Sequence, residues 1–328
     1  MSQKNQTTAI IVTEFFIVGF PGLQPEYYNL VAAIFFTIYL TVIVGNSIFI
    51  MLFTLETSLH KPMYIIMLNL ALSDVGFCTV ALPKLISRYW FNDGFISFQL
   101  CLMQRQFIHY FGTLNSLILM IMALDRYLAI CFPFRYPVLM IKRTMCLLSG
   151  FSWTSAMIAP GISSSLTAKM HFCGPNLILN CFCDTLSMNN LACTDTRAEY
   201  QVQFSLAMMV LFVPFSFIIF SYSSIVATVI RIVDTDGRLK AFSTCATQLC
   251  IISLYYAPRF FVYATPYIPN LKMTVDQRLA FSMFYLLMPP LVNPFIYCYR
   301  TKVIQQLFVK WCSGNKISQK VNVLPFPK

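Results

Sequence analysis

Seven long, predominantly apolar blocks, separated by short polar segments, constrain the fold of this chain more than any other feature. A helix that crosses a hydrocarbon core of about 30 Å needs about 20 predominantly apolar residues. The chain is 58% hydrophobic and 11% charged, whereas soluble domains carry about 25% charged residues. The sequence therefore predicts an all-α membrane protein built as a bundle of seven transmembrane helices. The predicted spans are residues 28–53, 63–87, 100–131, 144–166, 201–232, 241–265 and 276–299.

Charges between the blocks predict the orientation of the bundle. Residues 132–143 contain basic residues and no acidic one, and the same is true of residues 300–328. Because cytoplasmic loops carry an excess of Lys and Arg, we expect the N-terminus outside the cell and the C-terminus in the cytoplasm. The chain then divides into an extracellular segment (1–27), a seven-helix domain (28–299) and a cytoplasmic amphipathic helix with a tail (300–328).

Two modification sites follow from this orientation. Asn5-Gln6-Thr7 fits the acceptor pattern for N-glycosylation, which requires that this end lie outside. The basic segment 300–312 favours an amphipathic helix along the inner leaflet, in contact with membrane lipids. Cys312, at the end of that segment, is a candidate for palmitoylation, and a basic tail without a lipid anchor is the alternative.

Several classes of function find no support in the sequence. The net charge is +11, but the basic residues are not grouped with aromatic residues in one patch, so no nucleic-acid partner is indicated. The three histidines are scattered, and no Ser/His/Asp, zinc-protease or phosphate-loop pattern is present, so the chain is not predicted to be an enzyme. There is also no internal repeat of the kind on which many transporters are built.

Ionisable residues within the apolar blocks point to function, because charge is costly in hydrocarbon. They are Asp74, His109, Asp125, Arg126 and Arg259. Asp125 and Arg126 stand next to each other at the end of the third span, where opposite charges can pair near the membrane surface.

Short motifs accompany these residues from the first block to the last. They are Gly45-Asn46, Lys61-Pro62-Met63-Tyr64, Leu70-Ala71-Leu72-Ser73-Asp74, Met122-Ala123-Leu124-Asp125-Arg126-Tyr127, Ser221-Tyr222, Lys240-Ala241-Phe242-Ser243-Thr244-Cys245 and Pro290-Leu291-Val292-Asn293-Pro294-Phe295-Ile296-Tyr297. With them the chain resembles the rhodopsin-like G-protein-coupled receptors, and among these the odorant receptors, across nearly its whole length. Trp90-Phe91, Ile96-Ser97-Phe98 and Phe107-Ile108-His109 resemble the class I, or fish-like, branch.

The resemblance implies a receptor that binds a small odorant in the outer half of the bundle. An outward tilt of the sixth span would then admit a stimulatory G protein, which raises cyclic AMP. The residues implied in this switch are Asp125, Arg126, Tyr127, Tyr222 and Tyr297. The implied location is the plasma membrane, in the sensory cilia of olfactory neurons. The alternatives are a non-olfactory receptor for a small acid or lipid mediator and, with less support, a channel or transporter.

Cysteines in one polar stretch, from Cys173 to Cys193, indicate an oxidised loop outside the cell. Spacing alone leaves the pairing open, because four cysteines allow three connectivities. By matching position, the resemblance implies the bridges Cys101–Cys183 and Cys173–Cys193 and leaves Cys181 as a free thiol.

Asp74 lies in the middle of the second span. In the family this aspartate anchors a sodium ion together with polar groups of the third and seventh spans, which are Asn115 and Asn293 here. Odorant receptors usually have a glutamate at the position of Asn115, and losing that carboxylate should weaken the site. A hydrated polar network around Asp74 is the alternative.

The candidate ligand pocket begins on the third span. His109 precedes Arg126 by 17 residues, which is about 25 Å along a helix, so it lies in the outer part of the bundle. Arg105, Gly112 and Thr113 share its face by helical spacing, and all four are predicted ligand contacts.

The sixth span contributes a second cation to this pocket. Arg259 follows Pro258, with Tyr256 and Tyr263 nearby, and these two tyrosines and the arginine are also predicted to contact the ligand. A buried guanidinium needs an anionic partner, so we expect a small anionic or polar ligand. The alternative is that Arg259 pairs with Glu199 or Asp276 or extends to the membrane interface.

Overall fold

The computed structural model describes residues 12–173, 175–231, 235–264, 273–300 and 304–306. Within these ranges, side chains are described everywhere except at residues 235–244, 247, 262–264 and 297–300. Asn5 and Cys312 lie outside the described residues, and so do the side chains of Tyr263 and Tyr297.

Ten α-helices form the described part of the chain. They are α1 (Tyr28–Leu55), α2 (Pro62–Trp90), α3 (Phe98–Cys131), α4 (Tyr136–Leu139), α5 (Lys142–Ser155), α6 (Ile158–Ala168), α7 (Thr185–Asn190), α8 (Arg197–Ile230), α9 (Thr235–Ala264) and α10 (Val275–Arg300). In the described residues, six segments are long and apolar enough to cross a membrane, and α9 is the seventh long helix, with 30 residues. The prediction of an all-α membrane bundle is confirmed.

The fourth span differs from its predicted block, 144–166, because it is broken into two helices. α5 ends at Ser155 and α6 begins at Ile158. Pro160 is the third residue of α6. A proline has no N–H, and its ring clashes with the carbonyl four residues earlier, which here belongs to Ala156 at the break. The other helices agree with the predicted blocks to within six residues at each end.

α3 occupies the middle of the bundle, where it contacts α2, α5, α6, α8 and α9. By contrast, α1 and α8 expose large apolar side chains, including Leu30, Phe36, Phe212 and Phe220. Exposed apolar surface of this extent marks a contact with lipid or with another protein. The functional site is therefore expected along α3.

A small sheet covers one end of the bundle, and the sequence did not predict it. β1 (Glu14–Ile17) pairs antiparallel with β2 (Phe95–Ser97) and parallel with β3 (Leu177–Ile178), so the order is β2-β1-β3. Phe15 and Ile17 of β1 are fully buried. We call this end the outer end, following the predicted orientation, and the opposite end the inner end.

Further contacts tie the N-terminal segment to the outer end. The backbone N–H of Phe20 donates to the Tyr89 hydroxyl at 2.8 Å, and that of Gly22 donates to the Asp276 carboxylate at 3.0 Å. Arg88 donates to the carbonyl of Ile17 at 3.1 Å. Residues 14–22 therefore span the outer end from β3 to α10.

Two disulfides complete the outer end. Cys101 at the start of α3 is bonded to Cys183, and Cys173 is bonded to Cys193. These are the pairs that the resemblance implies. Cys181 is a buried free thiol, and burial raises its pKa above the ordinary value.

Candidate ligand pocket and inner switch

His109 on α3 has an exposed side chain, although α3 occupies the middle of the bundle. Its Nε2 lies 3.3 Å from Oγ1 of Thr185, the first residue of α7. The guanidinium groups of Arg105 and Arg259 both act electrostatically on the imidazole. Two guanidinium groups therefore lie near an exposed imidazole, and the Asp184 carboxylate acts on one of them, Arg105.

Arg105 lies on the pocket side of α3 but is fully buried. Its Nε donates to Thr185 Oγ1 at 3.1 Å, and Nη2 donates to the carbonyl and the hydroxyl of Ser163 on α6. The guanidinium therefore ties α3 to α6 and to the loop helix α7. Arg105, which was predicted to contact the ligand, instead makes hydrogen bonds that connect elements of the protein.

Arg259 on α9 reaches across to α3 and α10. Its Nη1 donates to the Tyr255 hydroxyl at 2.9 Å, and its guanidinium carbon lies 4.5 Å from the ring centre of Tyr255 and 5.4 Å from that of Tyr285. A Cβ built on Gly112 would lie 3.9 Å from Nη2 of Arg259. The glycine thus leaves room beside the guanidinium. Asp276, an alternative partner for this arginine, accepts hydrogen bonds from Gly22.

Tyr255 is the pocket residue that the sequence did not identify. Besides accepting from Arg259, its hydroxyl donates to the Gly112 carbonyl at 2.6 Å and lies 3.0 Å from the Ser116 hydroxyl. It precedes Arg259 by four residues, a spacing that places two residues on one face of a helix. This spacing could have identified Tyr255 from the sequence as a neighbour of Arg259.

Like Tyr255, Tyr256, which was predicted to contact the ligand, is buried. Its ring packs against Phe215 and Phe260, with ring centres 4.9 and 6.0 Å away. Thr113 is also buried, and its hydroxyl donates to the His109 carbonyl of its own helix at 2.9 Å. The structure brings His109, Gly112, Tyr255 and Arg259 together, whereas the Tyr256 ring packs against aromatic side chains and the Thr113 hydroxyl bonds within α3.

At the inner end of α3, Nε of Arg126 lies 3.6 Å from Oδ2 of Asp125. The other oxygen of Asp125, a residue 1% exposed, accepts from the Tyr136 hydroxyl at 2.9 Å. Burial, together with the Asp125 carboxylate, raises the pKa of Tyr136 above its ordinary value, so the phenol stays protonated and donates. Tyr127 is not part of this pair, because its ring packs against Phe132 and Phe220.

A buried hydrogen bond joins α8 and α9 in the inner half of the bundle. The Tyr222 hydroxyl donates to Oε1 of Gln248 at 3.0 Å. Tyr222 was predicted to take part in the switch, whereas Gln248 was not identified from the sequence. We call Asp125, Arg126, Tyr136, Tyr222 and Gln248 the inner switch.

Between pocket and switch, Asp74 lies in a fully buried polar cluster. Its Oδ2 accepts from Nδ2 of Asn293 at 2.8 Å. Its Oδ1 is buried without a hydrogen-bond partner among the described residues, as are Oδ1 of Asn115, Oδ1 of Asn46 and the hydroxyl of Ser73. Buried acceptors need a donor or a cation, and hard cations prefer oxygen ligands. These residues therefore fit the implied sodium ion.

Comparison with known proteins gives one consistent result. The family model described as Olfactory receptor matches residues 35–314. Olfactory receptor 1E2 of Gorilla gorilla gorilla is 37% identical over 302 residues, which are 92% of this chain and 94% of that protein. Olfactory receptor 1 of Rattus norvegicus is 36% identical and covers 93% of this chain and 95% of its own length. Olfactory receptor 2AT4 of Homo sapiens is 35% identical, with coverages of 90% and 92%.

Proposed function

Because this chain belongs to the olfactory receptor family, we propose that it recognises a small anionic odorant through His109 and Arg259. It is an odorant receptor and a multi-pass membrane protein, not an enzyme, and odorants and G proteins are its general partners.

The observation that carries the proposal is the positive charge around an exposed histidine. Arg105 and Arg259 both act on the His109 imidazole, and the side chain of His109 remains open. Asp276 accepts from Gly22, and Asp184 caps α7. A carboxylate, sulfate or phosphate would match this charge, and a guanidinium binds such groups with good geometry.

The proposed signal passes from the pocket to the inner switch through α9, which carries both Arg259 and Gln248. A ligand that contacts Arg259 is bound to the helix whose inner half is joined to Tyr222. If the ligand prefers a tilted α9, it shifts the population toward that state by its difference in affinity. The open state would then bind a stimulatory G protein and raise cyclic AMP.

Several finer features belong to the same proposal. We infer residues 1–27 outside the cell, 28–299 in the membrane and 300–328 in the cytoplasm, in sensory cilia, with a glycan on Asn5 and a lipid on Cys312. Sodium bound by Asp74, Asn115 and Asn293 would stabilise the buried carboxylate with positive charge. Membership of the class I branch stays a prediction.

An acid and its methyl ester provide the test of the anionic ligand. Straight-chain carboxylic acids and their esters are compared by cyclic AMP response on wild type, Arg259→Lys and Arg259→Gln, with surface expression matched. We expect the acid to be more potent than the ester on wild type. Arg259→Lys should weaken the acid response. The charge remains, but the two parallel N–H donors of the guanidinium are lost. Arg259→Gln should cost roughly 2–5 kcal/mol of binding free energy.

Arg197→Gln is the matched control, because Arg197 is a highly exposed arginine that pairs with Asp195 away from the pocket. It should leave the ratio of acid to ester potency unchanged. Equal potency of acid and ester on wild type would contradict the proposal. An unchanged acid response in Arg259→Gln would mean that Arg259 has a structural role and does not bind the ligand.

A further inference from the structure

Thr185 is held in a fixed position over the pocket. It is the first residue of α7, and Oδ2 of Asp184 caps this helix by accepting from the backbone N–H groups of Leu186 and Ser187 at 3.1 and 3.2 Å. Two residues before Thr185, Cys183 is bonded to Cys101 of α3. A disulfide on one side and a capped helix on the other leave the Thr185 hydroxyl little freedom to move away from α3.

The Thr185 hydroxyl takes part in two hydrogen bonds. The direction of the first is fixed by its partner, and the direction of the second depends on the tautomer of His109. Nε of Arg105 lies 3.1 Å from Oγ1, and a guanidinium can only donate, so Thr185 accepts in this bond. Nε2 of His109 lies 3.3 Å from the same oxygen. Among the described residues, His109 is the one partner left for the hydroxyl hydrogen.

These constraints select one tautomer of His109. If the hydroxyl hydrogen points to Nε2, that nitrogen is an acceptor, and a neutral imidazole then carries its proton on Nδ1. The reverse arrangement, with Nε2–H donating to Thr185, would leave the hydroxyl hydrogen without an acceptor among the described residues, at a cost in free energy. Because the side chain of His109 is exposed, an Nδ1–H would be open to a molecule in the pocket.

We propose that Thr185 is a positioning residue that holds His109 in the Nδ1–H tautomer, so that the receptor selects ligands with a hydrogen-bond acceptor at this point. The hydrogen bonds run from Arg105 to Thr185 and from Thr185 to His109, and the last donor in the chain faces the pocket. The inference rests on the proposed function in that the ligand must reach His109. It deepens that function, because a carboxylate accepts hydrogen bonds and does not donate them.

The tautomer itself is tested without any ligand. The chain has three histidines, so a receptor labelled with ¹⁵N-histidine gives few ring signals, and the difference from His109→Asn identifies those of His109. We expect a protonated, pyrrole-type Nδ1 and an unprotonated, pyridine-type Nε2. Thr185→Ser, which keeps the hydroxyl, should preserve this pattern, and Thr185→Val, which removes it, should give a mixture of tautomers. A protonated Nε2 in wild type would overturn the proposal.

A cyclic AMP assay tests the consequence for selectivity. The probes are straight-chain acids from butanoic to decanoic acid and the primary alcohols of the same lengths, because an alcohol hydroxyl can pair with either tautomer. Thr185→Val should raise the half-maximal concentration of the acids roughly threefold to tenfold, as expected for the loss of one hydrogen bond. The alcohols should change less, and Thr185→Ser should resemble wild type.

Two substitutions of His109 separate this role from a purely structural one. Asn places its amide near the position of Nδ1, and Gln places it near Nε2, so His109→Asn should retain more of the acid response than His109→Gln. Thr185→Val should have no further effect in the His109→Asn background, because an amide has no tautomer to fix. An equal loss for acids and alcohols in both backgrounds would assign Thr185 to the loop fold alone and overturn the inference. If neither series activates wild type, the proposed ligand class fails, and the ¹⁵N pattern still decides the tautomer.

Discussion

The outer and inner ends of the bundle are held together by different kinds of interaction. At the outer end, two disulfides and a three-stranded sheet join the loops to the N-terminal segment. At the inner end, the inner switch consists of one ion pair and two side-chain hydrogen bonds. A disulfide contributes about 2–4 kcal/mol and a hydrogen bond about 1 kcal/mol.

This difference separates recognition from response. A ligand can shift an equilibrium only by its difference in affinity for two states, which is typically about 1–3 kcal/mol. Such an energy is sufficient to exchange the contacts of the inner switch but not to rearrange the cross-linked outer end. We therefore propose that the outer end presents a preformed pocket and that the inner end changes.

The largest expected effect comes from breaking the outer end covalently. Cys183→Ser removes the bond between α3 and the loop that carries Thr185, and loss of a native disulfide costs roughly 2–5 kcal/mol. We expect surface expression or the odorant response to be lost, as measured by surface staining and cyclic AMP. Cys181→Ser is the control, because Cys181 is a free thiol two residues away, and its effect should be mild. The reverse order of severity would show that the assigned pairing is wrong.

A smaller effect is expected from the tether of the N-terminal segment. Gly19 has a φ of +78°, and a Cβ there would overlap the Tyr89 hydroxyl. The left-handed conformation costs a non-glycine residue about 1–2 kcal/mol, so Gly19→Ala should lower the midpoint of thermal unfolding of the purified receptor. Gly150→Ala is the matched control, since nothing lies within 4 Å of its Cβ, and alanine within a helix should stabilise by about 0.5–1 kcal/mol. Equal shifts of the unfolding midpoint in both variants would mean that the N-terminal segment does not stabilise the outer end.

The smallest effect is expected from the hydrogen bond between Tyr222 and Gln248 at the inner end. Gln248→Leu removes the hydrogen bond between α8 and α9, worth about 1 kcal/mol, and should favour the active state by a factor of roughly five. The measurement is basal cyclic AMP without odorant at matched surface expression. Gln106→Leu makes the same substitution in the outer half of α3, where Gln106 contacts Met157, and should leave basal activity unchanged. Unchanged basal activity in Gln248→Leu would mean that this bond does not hold the resting state.

The spans could be predicted from the sequence because hydrocarbon imposes one length and one composition on every crossing helix. The sheet could not, because its strands have two to four residues and pair across long stretches of the chain, as Ile17 does with Ile178. No local pattern records such a pairing.

The pocket was predictable only in part, for a related reason. Helical spacing places His109 and Gly112 on one face, but the rotation of α9 decides whether Tyr255 or Tyr256 faces Arg259. Neighbouring residues of a helix differ by about 100° in direction, and the sequence alone does not fix the rotation of α9 about its axis. Arg105 illustrates the same limit, because its partners on α6 and α7 are distant in sequence.

Distances measured at both ends of one receptor show which end moves when a ligand binds. Spin labels carried by unnatural amino acids avoid the twelve native cysteines. One pair is placed at the inner end, at Phe134 and position 239 of α9, and the other at the outer end, at Leu177 and Val275, which are exposed. With a saturating carboxylic acid agonist, we expect the inner distance to increase and the outer distance to stay unchanged. A larger change at the outer end, or none at the inner end, would contradict the separation of a preformed pocket from a labile inner switch.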